Sequence, residues 1–146
     1  MSKTIAIVGA SNDRTKYGNK AVRAFKDGGW TVYPVNPNRP SVMGIKAYPT
    51  VADVPDQIDL AVVVTPAKAI PALISECADV GVKGAIVISA GFKELGAPGI
   101  ALEEEILRHA QRGRMRIVGP NCLGVMNPIT GLNATFAGTM ARPGNV

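Results

Sequence analysis

Glycine and small polar side chains collect after the first apolar run of the chain, where they could hold a phosphate group. The run covers residues 4–8 and is followed by Gly9, Ser11 and Asn12. Glycine lets the backbone approach a ligand closely, and free amides at the start of a helix bind anions. We therefore predict phosphate contacts here. Neither a G-x-G-x-x-G pattern nor a G-K-[ST] sequence occurs, so the two best-known phosphate motifs do not account for the segment.

The residues at the end of the second apolar run indicate which nucleotide cofactor could bind. An NAD site usually places an acidic residue there to bind the ribose 2′-hydroxyl, whereas this chain has Val35, Asn36 and Pro37. Arg39 follows them, and a cation at this point suits a ribose that carries a phosphate. This chemistry fits either the 3′-phosphate of coenzyme A or the 2′-phosphate of NADP.

Alternating apolar and helical patterns predict the fold that positions these loops. The apolar runs cover residues 4–8, 31–35, 60–64, 85–88 and 115–118. Helical spacing separates most of them. Right-handed crossovers then give an α/β, doubly wound sheet of five parallel strands with helices on both faces, and we expect the order 3-2-1-4-5. The loops that leave such strands share one edge of the sheet, where ligands bind.

The length of 146 residues predicts one domain. We place its boundary at residue 126. Residues 127–146 show no clear period, and we interpret them as a tail that contains Pro and Gly or as the approach to a second domain.

Composition narrows the function further. Eight Lys and Arg stand against two Asp within residues 1–46, which predicts an anionic partner for this part of the chain. Aromatic residues are scarce at 5%, so we expect no nucleic-acid partner. The first residues do not resemble a signal peptide, and no apolar run is long enough to span a membrane. We expect a cytoplasmic protein without membrane contact.

Few side chains suggest catalysis or metal binding. His109 is the only histidine, and its place within a helical pattern predicts a surface position. Cys77 lies on an apolar helical stripe, which favours packing. Cys122 follows the last strand at the ligand edge, so it could either lie near a substrate thiol or carbonyl or serve the turn structurally. We predict no catalytic residue and no metal site.

Several motifs, taken together, resemble a known family. They are Ile7–Ser11, Val32–Pro37, Val87–Phe92, Gly119–Gly124 and Gly131–Phe136. The set is similar to the Rossmann-type coenzyme A-binding domain of acyl-CoA synthetases that form a nucleoside diphosphate. It is closest to ADP-forming acetyl-CoA synthetase and more distant from the succinyl-CoA synthetase alpha subunit. The resemblance covers essentially the whole chain.

The resemblance implies roles for residues in all five loops. Ser11, Asn12, Asp13 and Arg14 would hold the cofactor phosphates, and Arg39 would contact the nucleotide. The adenine and pantetheine would be lined by the loops after the third and fourth strands, and the thiol would lie near the last loop. These loops contribute Val64, Thr65, Pro66, Ser89, Ala90, Gly91, Asn121 and Cys122. We include Lys16 of the first loop among the predicted contacts. Arg14 stands where the family pattern leads us to expect proline.

The implied function is that of one domain of a ligase. The parent enzyme would convert an acid, coenzyme A and ATP to acyl-CoA, ADP and phosphate, with phosphohistidine and ATP-grasp domains as the partners of this one. Two alternatives stay open, namely a free-standing coenzyme A-binding regulatory protein and an NADP-binding oxidoreductase domain.

Overall fold

The computed structural model describes residues 3–144, whose centre is a parallel β-sheet with helices on both faces. In chain order the elements are β1 (Thr4–Val8), α1 (Tyr17–Asp27), β2 (Thr31–Val35), β3 (Ser41–Val42), β4 (Ile45–Lys46), a 3₁₀ turn (Val51–Asp53), β5 (Leu60–Val63), a second 3₁₀ turn (Ala67–Ala69), α2 (Ile70–Asp79), β6 (Gly84–Val87), a third 3₁₀ turn (Lys93–Leu95), α3 (Ala97–Arg112), β7 (Arg116–Val118), β8 (Gly124–Asn127) and β9 (Leu132–Thr135). The predicted α/β class with five parallel strands is confirmed.

Both faces of the sheet are covered, which explains why its strands are continuously apolar. In β1, Ile5 and Ile7 pack on the side of α1, where Phe25 is buried. Ala6 and Val8 face the opposite side, where α2 and α3 complete a second core. Successive side chains of a strand point to opposite faces, so burial of every β1 residue requires cover on both.

The strand order differs from the prediction in the position of one strand. The sheet runs β2-β1-β5-β6-β7, so the third apolar run lies beside β1, whereas the order 3-2-1-4-5 placed it outside β2. The connection from β2 to β5 contains no α-helix, and it crosses over β1 to reach the other side of that strand. Tyr48 from this connection pairs in parallel with Val35 and occupies the outer side of β2 instead. The topological switch point therefore lies between β1 and β5.

Residues after β7 are more regular than the sequence suggests. β8 and β9 form an antiparallel hairpin that packs on α1. Ala134 is buried against the α1 side of the sheet. The hairpin pairs residues on both sides of the predicted boundary at 126, and that boundary stays a prediction. These strands escaped detection because they are short and half-buried, so they lack an alternating pattern.

Asp59 holds the start of β1 and makes the stability of the fold dependent on pH. Its Oδ2 accepts hydrogen bonds from the Thr4 amide at 3.1 Å and the Thr4 hydroxyl at 3.0 Å. Lys83 Nζ lies 3.8 Å from Oδ1. The backbone bond from Thr4 is the main cause that lowers the pKa of Asp59 below its ordinary value of 3.8. The carboxylate is therefore the form that stabilises the folded chain.

We expect Asp59→Asn to lower the free energy of unfolding at pH 7, because asparagine keeps an acceptor but loses the charge. The native pKa is lowered, so this stabilisation is present above pH 3.8 and disappears as pH falls below it. Urea unfolding of wild type and variant at pH 7 and pH 3 measures the difference. A difference of equal size at both pH values would contradict the assignment.

Candidate cofactor site

A groove of about 500 Å³ opens at the carboxyl ends of β1, β2 and β5. This position is the switch point of the sheet, where doubly wound folds bind their ligands. We call it the switch groove. Its lining consists of Val8, Gly9, Lys16, Val35, Asn36, Pro37, Asn38, Pro49, Thr50, Val51, Val64, Thr65, Pro66, Ala69, Leu73 and Glu76.

Gly9 brings bare backbone to the base of the switch groove. Its φ is +93°, and a Cβ placed on it would lie 2.8 Å from Val64 Cγ2. Both facts exclude a side chain here, as predicted for a backbone that must approach a ligand closely. The Gly9 amide itself donates to Val35 O at 3.1 Å, so any amides offered to a phosphate come from the residues that follow.

The loop between β1 and α1 is organised by its own side chains. Ser11 Oγ accepts a hydrogen bond from the Asp13 amide at 3.0 Å. Asp13 Oδ1 accepts bonds from the amide and hydroxyl of Thr15 at 2.9 and 2.7 Å. The bonds from Thr15 are the main cause that lowers the pKa of Asp13. Asp13 therefore stabilises the loop as an anion, which is a different role from binding a phosphate.

Two asparagines fix neighbouring loops to one another. Asn12 Nδ2 donates to Ser41 O at 3.1 Å, and its Oδ1 accepts from the Met43 amide at 2.8 Å. Asn36 Nδ2 donates to Ala10 O at 2.9 Å, and its Oδ1 accepts from the Asn38 amide at 2.8 Å. Both side-chain amides thus already have partners within the protein. Asn36 itself lines the switch groove and joins the loop after β2 to the loop after β1.

A series of hydrogen bonds joins the loops after β5, β6 and β7. Ser89 Oγ donates to Thr65 O at 2.6 Å, and the Asn121 amide donates to Ser89 O at 2.9 Å. Glu94 approaches the Gly91 amide, and its backbone bonds lower the pKa of this carboxyl group. The three loops therefore form one continuous rim that leads from the switch groove toward Cys122.

Cys122 is half-buried at the far end of this rim. Its Sγ lies 3.3 Å from Val87 O, as a weak donor to a strand carbonyl. Tyr17 stands nearby, and burial raises its pKa to about 12, with the neighbouring thiol as a smaller cause. Tyr17 is therefore neutral at physiological pH. The contact with Val87 gives Cys122 a structural role in the turn, one of the two possibilities open from sequence.

The structure brings together only part of the predicted site within the switch groove. The predicted residues that line it are Gly9, Lys16, Val35, Asn36, Pro37, Val64, Thr65 and Pro66. Arg39 lines an adjoining cavity that shares Asn36, Pro37 and Asn38 with the groove. Arg14 lines a different pocket beside α1. Ser89, Ala90, Gly91, Asn121 and Cys122 belong to the rim.

Two features of the lining fit a ligand with hydroxyl and phosphate groups. The Thr65 hydroxyl is buried and has no hydrogen-bond partner within the described residues. Such an orphaned group is uncommon unless something else binds it. Lys16 is the base and Glu76 the acid among the lining residues. The lining therefore offers one cation, one carboxylate and one hydroxyl without a protein partner among the residues that the structure describes.

Sequence reasoning missed residues that shape the site without an obvious motif. Gly18 lies in the first turn of α1, and a Cβ on it would come within 2.2 Å of Gly9 O. It thus allows close contact between α1 and β1. The third glycine of the G-x-G-x-x-G pattern has the same role in dinucleotide sites. Asn19, which is 1% exposed, donates to Ser11 O at 2.9 Å. The occurrence of a second glycine, nine residues after Gly9, was the sequence signal that could have indicated Gly18.

The remaining chemistry-bearing residues lie outside the site. Cys77 is fully buried, and burial raises its pKa to about 12, which confirms its role in packing. His109 lies on α3, 3.6 Å from Glu105. Within residues 3–144, no cluster of His, Cys, Asp or Glu could hold a metal ion. No helix in that range has both the length and the apolar character needed to cross a bilayer.

Fold and groove together define a doubly wound α/β domain with an open groove at its switch point, the place where domains of this class bind their ligands. Residues 3–128 match the family model described as a CoA binding domain, and the chain belongs to this family. The resemblance inferred from the motifs is confirmed. Neither the family nor the relatives below support NADP as the alternative cofactor.

The relatives include larger ligases. Acetate–CoA ligase [ADP-forming] II subunit alpha from Pyrococcus furiosus is 46% identical over 143 residues, which cover 97% of this chain and 31% of the relative. The structure of the dinucleotide forming acetyl-coenzyme A synthetase 1 of Ca. Korarchaeum cryptofilum, in complex with phosphate and ADP, has a TM-score of 0.84 and 44% identity, over 92% of this chain and 29% of that one. The chain spans 20 to 31% of the first curated relatives.

A smaller protein shares the fold over most of its length. A conserved hypothetical protein from Pyrococcus furiosus has a TM-score of 0.64 and 29% identity, and the match covers 79% of this chain and 90% of that chain. The fold is therefore found both as a part of long chains and as nearly the whole of a short one.

Proposed function

We propose that this chain binds coenzyme A in the switch groove and presents its thiol to the other domains of an ADP-forming acyl-CoA synthetase. The parent reaction would convert an acid, coenzyme A and ATP to acyl-CoA, ADP and phosphate. The observation that carries the proposal is the groove itself, since membership of the CoA binding domain family coincides with a cavity at the switch point that is lined by Lys16, Gly9 and Thr65.

The distribution of groups along the edge suggests how the cofactor would lie. Lys16 and the loop after Gly9 would bind the pyrophosphate. Asn36 and Pro37 would flank the adenosine, with Arg39 of the adjoining cavity at its 3′-phosphate. The pantetheine would then follow the rim from Thr65 toward Cys122. This direction places the charged end at the basic first third of the chain and the thiol at the last loop.

Positioning is the contribution that this chain would make to acyl transfer. Holding a thiol in the correct geometry removes much of the entropic cost of the reaction. The phosphorylated histidine and the ATP-grasp region implied by the family resemblance would come from the partner domains. Within this chain, His109 stands on α3 beside Glu105 and takes no part in the groove.

Binding of coenzyme A should raise the thermal midpoint and depend on Arg39. At one hundred times the dissociation constant the ligand should stabilise the fold by about 2.7 kcal/mol, or about 5 to 10 °C for a domain of this size. Arg39→Ala should weaken coenzyme A binding about tenfold, because one charge-assisted hydrogen bond is lost, and should leave dephospho-CoA binding unchanged. Calorimetric titration of both ligands measures this.

Arg108→Ala is the matched control, since it removes the same charge from the exposed side of α3. It should alter neither affinity. The absence of a thermal shift at millimolar coenzyme A would refute the binding function. If Arg39→Ala instead lowered the affinity for coenzyme A and for dephospho-CoA equally, Arg39 would not contact the 3′-phosphate.

A second candidate is a free-standing coenzyme A-binding protein. It is favoured by the short relative that matches this chain over 90% of its own length. An immunoblot of native cell extract with an antibody to this domain separates the two candidates. A band near 15.2 kDa would support the free-standing protein, and a band several times heavier would support the ligase.

A further inference from the structure

Bases of α1 and of the loop before it surround a second pocket. This pocket, here called the α1 pocket, has a volume of about 260 Å³. Its lining consists of Arg14, Thr15, Lys16, Tyr17, Lys20, Arg23 and Phe136. Four of these seven residues are bases and none is an acid. Lys16 also lines the switch groove, so the two cavities are neighbours that share one side chain.

Among the described residues, the cations of the α1 pocket have no carboxylate partner, and one of them is held in place by a backbone carbonyl. Lys20 Nζ donates to Phe136 O at 2.6 Å, which fixes the ammonium group between α1 and the segment after β9. Across residues 3–144, no carboxylate lies within 4.0 Å of the charged groups of Arg14, Lys16, Lys20 or Arg23. Asp13 is the acid close enough to Lys16 for its pKa to be affected, and Thr15 already occupies its carboxylate.

Arg23 supplies a second observation that fits an anion in this pocket. Its Nε is buried and has no hydrogen-bond partner within the described part of the chain. An unsatisfied buried donor is costly, and one on a cation more so. The aromatic pair of Tyr17 and Phe136, with ring centroids 4.5 Å apart, forms an apolar wall of the pocket. An apolar wall strengthens attraction between the cations and an anion, because it excludes water from one side.

We propose that the α1 pocket is an anion site, separate from the switch groove, that takes a single phosphate group. Guanidinium and ammonium groups together suit a phosphate, which offers several acceptor oxygens to converging donors. The pocket is about half the volume of the switch groove, which fits one phosphate better than a whole nucleotide cofactor. The site lies beside the proposed coenzyme A site and shares Lys16 with it, whereas Arg14, Lys20 and Arg23 line the α1 pocket and not the switch groove.

Two sources of phosphate are possible, and the experiment must separate them. One is inorganic phosphate, and the other is the 3′-phosphate of coenzyme A. The probe is inorganic phosphate, titrated at constant ionic strength while the Arg23 Nε–H resonance is followed by ¹H–¹⁵N NMR. We expect a saturable shift of that resonance, and the same shift in the presence of saturating coenzyme A.

Charge-removing variants test the pocket directly. Lys20→Gln should weaken phosphate binding about tenfold, because it removes a charge-assisted hydrogen bond. Arg23→Gln should do the same, and its affinity is measured by calorimetric titration because this variant lacks the Arg23 resonance. Arg14→Gln, at an exposed position, should weaken it too and provides a test that does not disturb the core. Lys26→Gln is the matched control, since Lys26 lies on the same helix but does not line the pocket, and it should change affinity less than twofold.

Three results would overturn the proposal. The first is no saturable shift of Arg23 Nε–H with phosphate. The second is an equal effect of Lys26→Gln, which would indicate general screening by charge. The third is that coenzyme A abolishes phosphate binding and itself shifts the Arg23 resonance, whereas dephospho-CoA does not shift it. The pocket would then bind the 3′-phosphate of the cofactor. Failure of coenzyme A to bind would leave the anion site intact, so the two proposals can fail separately.

Discussion

Phe92→Ala should lower the free energy of unfolding by about 3 to 5 kcal/mol, the usual cost of removing a buried aromatic side chain. Phe92 is 0% exposed and belongs to the core that α2 and α3 form on the sheet. Its carbonyl is also in tight contact with α3, since a Cβ on Gly99 would lie 1.7 Å from it. The side chain therefore fixes the rim loop that starts at Ser89.

The same variant should weaken coenzyme A binding, because the rim would lose its anchor while the switch groove stays intact. Urea unfolding and calorimetric titration measure the two effects. Leu95→Ala is the control, since Leu95 is a large apolar residue of the same loop but 69% exposed. We expect it to change stability by less than about 0.5 kcal/mol. If both variants lost similar stability and similar affinity for coenzyme A, Phe92 would not anchor the rim.

Gly18→Ala is expected to weaken coenzyme A binding, because it pushes α1 away from β1. The added methyl group would lie 2.2 Å from Gly9 O and 3.3 Å from Ala10 Cα. Both neighbours are backbone atoms, so no side-chain rotation relieves the clash, and α1 must move away from β1. Overpacking of this kind costs about 1 to 3 kcal/mol, which the better helix propensity of alanine offsets by up to about 1 kcal/mol. Coenzyme A affinity should fall more than tenfold, because the loop after Gly9 moves with the helix.

Gly138→Ala is the appropriate control for this variant. A Cβ on Gly138 meets nothing within 4 Å, and its φ is not in the left-handed region. Its stability and ligand affinity should match those of the wild type. If thermal unfolding and titration show Gly18→Ala to be equally neutral, the close approach of α1 to β1 has no role in the site.

The local sequence predicted each large element because the hydrophobic pattern is strong where both faces are buried. The run of 60–64 became β5 (Leu60–Val63), and the stripe that contains Ile70 and Cys77 became α2. The fold class follows from this alternation. The β8–β9 hairpin did not, because its strands are half-buried on one helix and so carry no periodic signal.

The order of the strands could not be predicted in the same way. It depends on which element fills the outer side of β2, and Tyr48 fills it through a single bridge. An isolated bridge has no sequence pattern. The two asparagines illustrate the same limit, since Asn12 and Asn36 were predicted to contact the ligand, whereas their side chains hold loops together. Sequence shows that an amide is present but not which partner it finds.

The amino-acid sequence by itself determined that this chain alternates buried strands with amphipathic helices, that its loops carry glycine and polar residues, and that its first third is basic. These properties are local, since each depends on residue type and spacing over one element or one turn. Only the tertiary structure decided which loops meet in the switch groove, that Gly18 and Gly9 touch, and that bases of α1 and of the loop before it surround a second pocket. Such contacts join residues that are distant in the chain, and they arise from the order and packing of the strands, which no local pattern encodes.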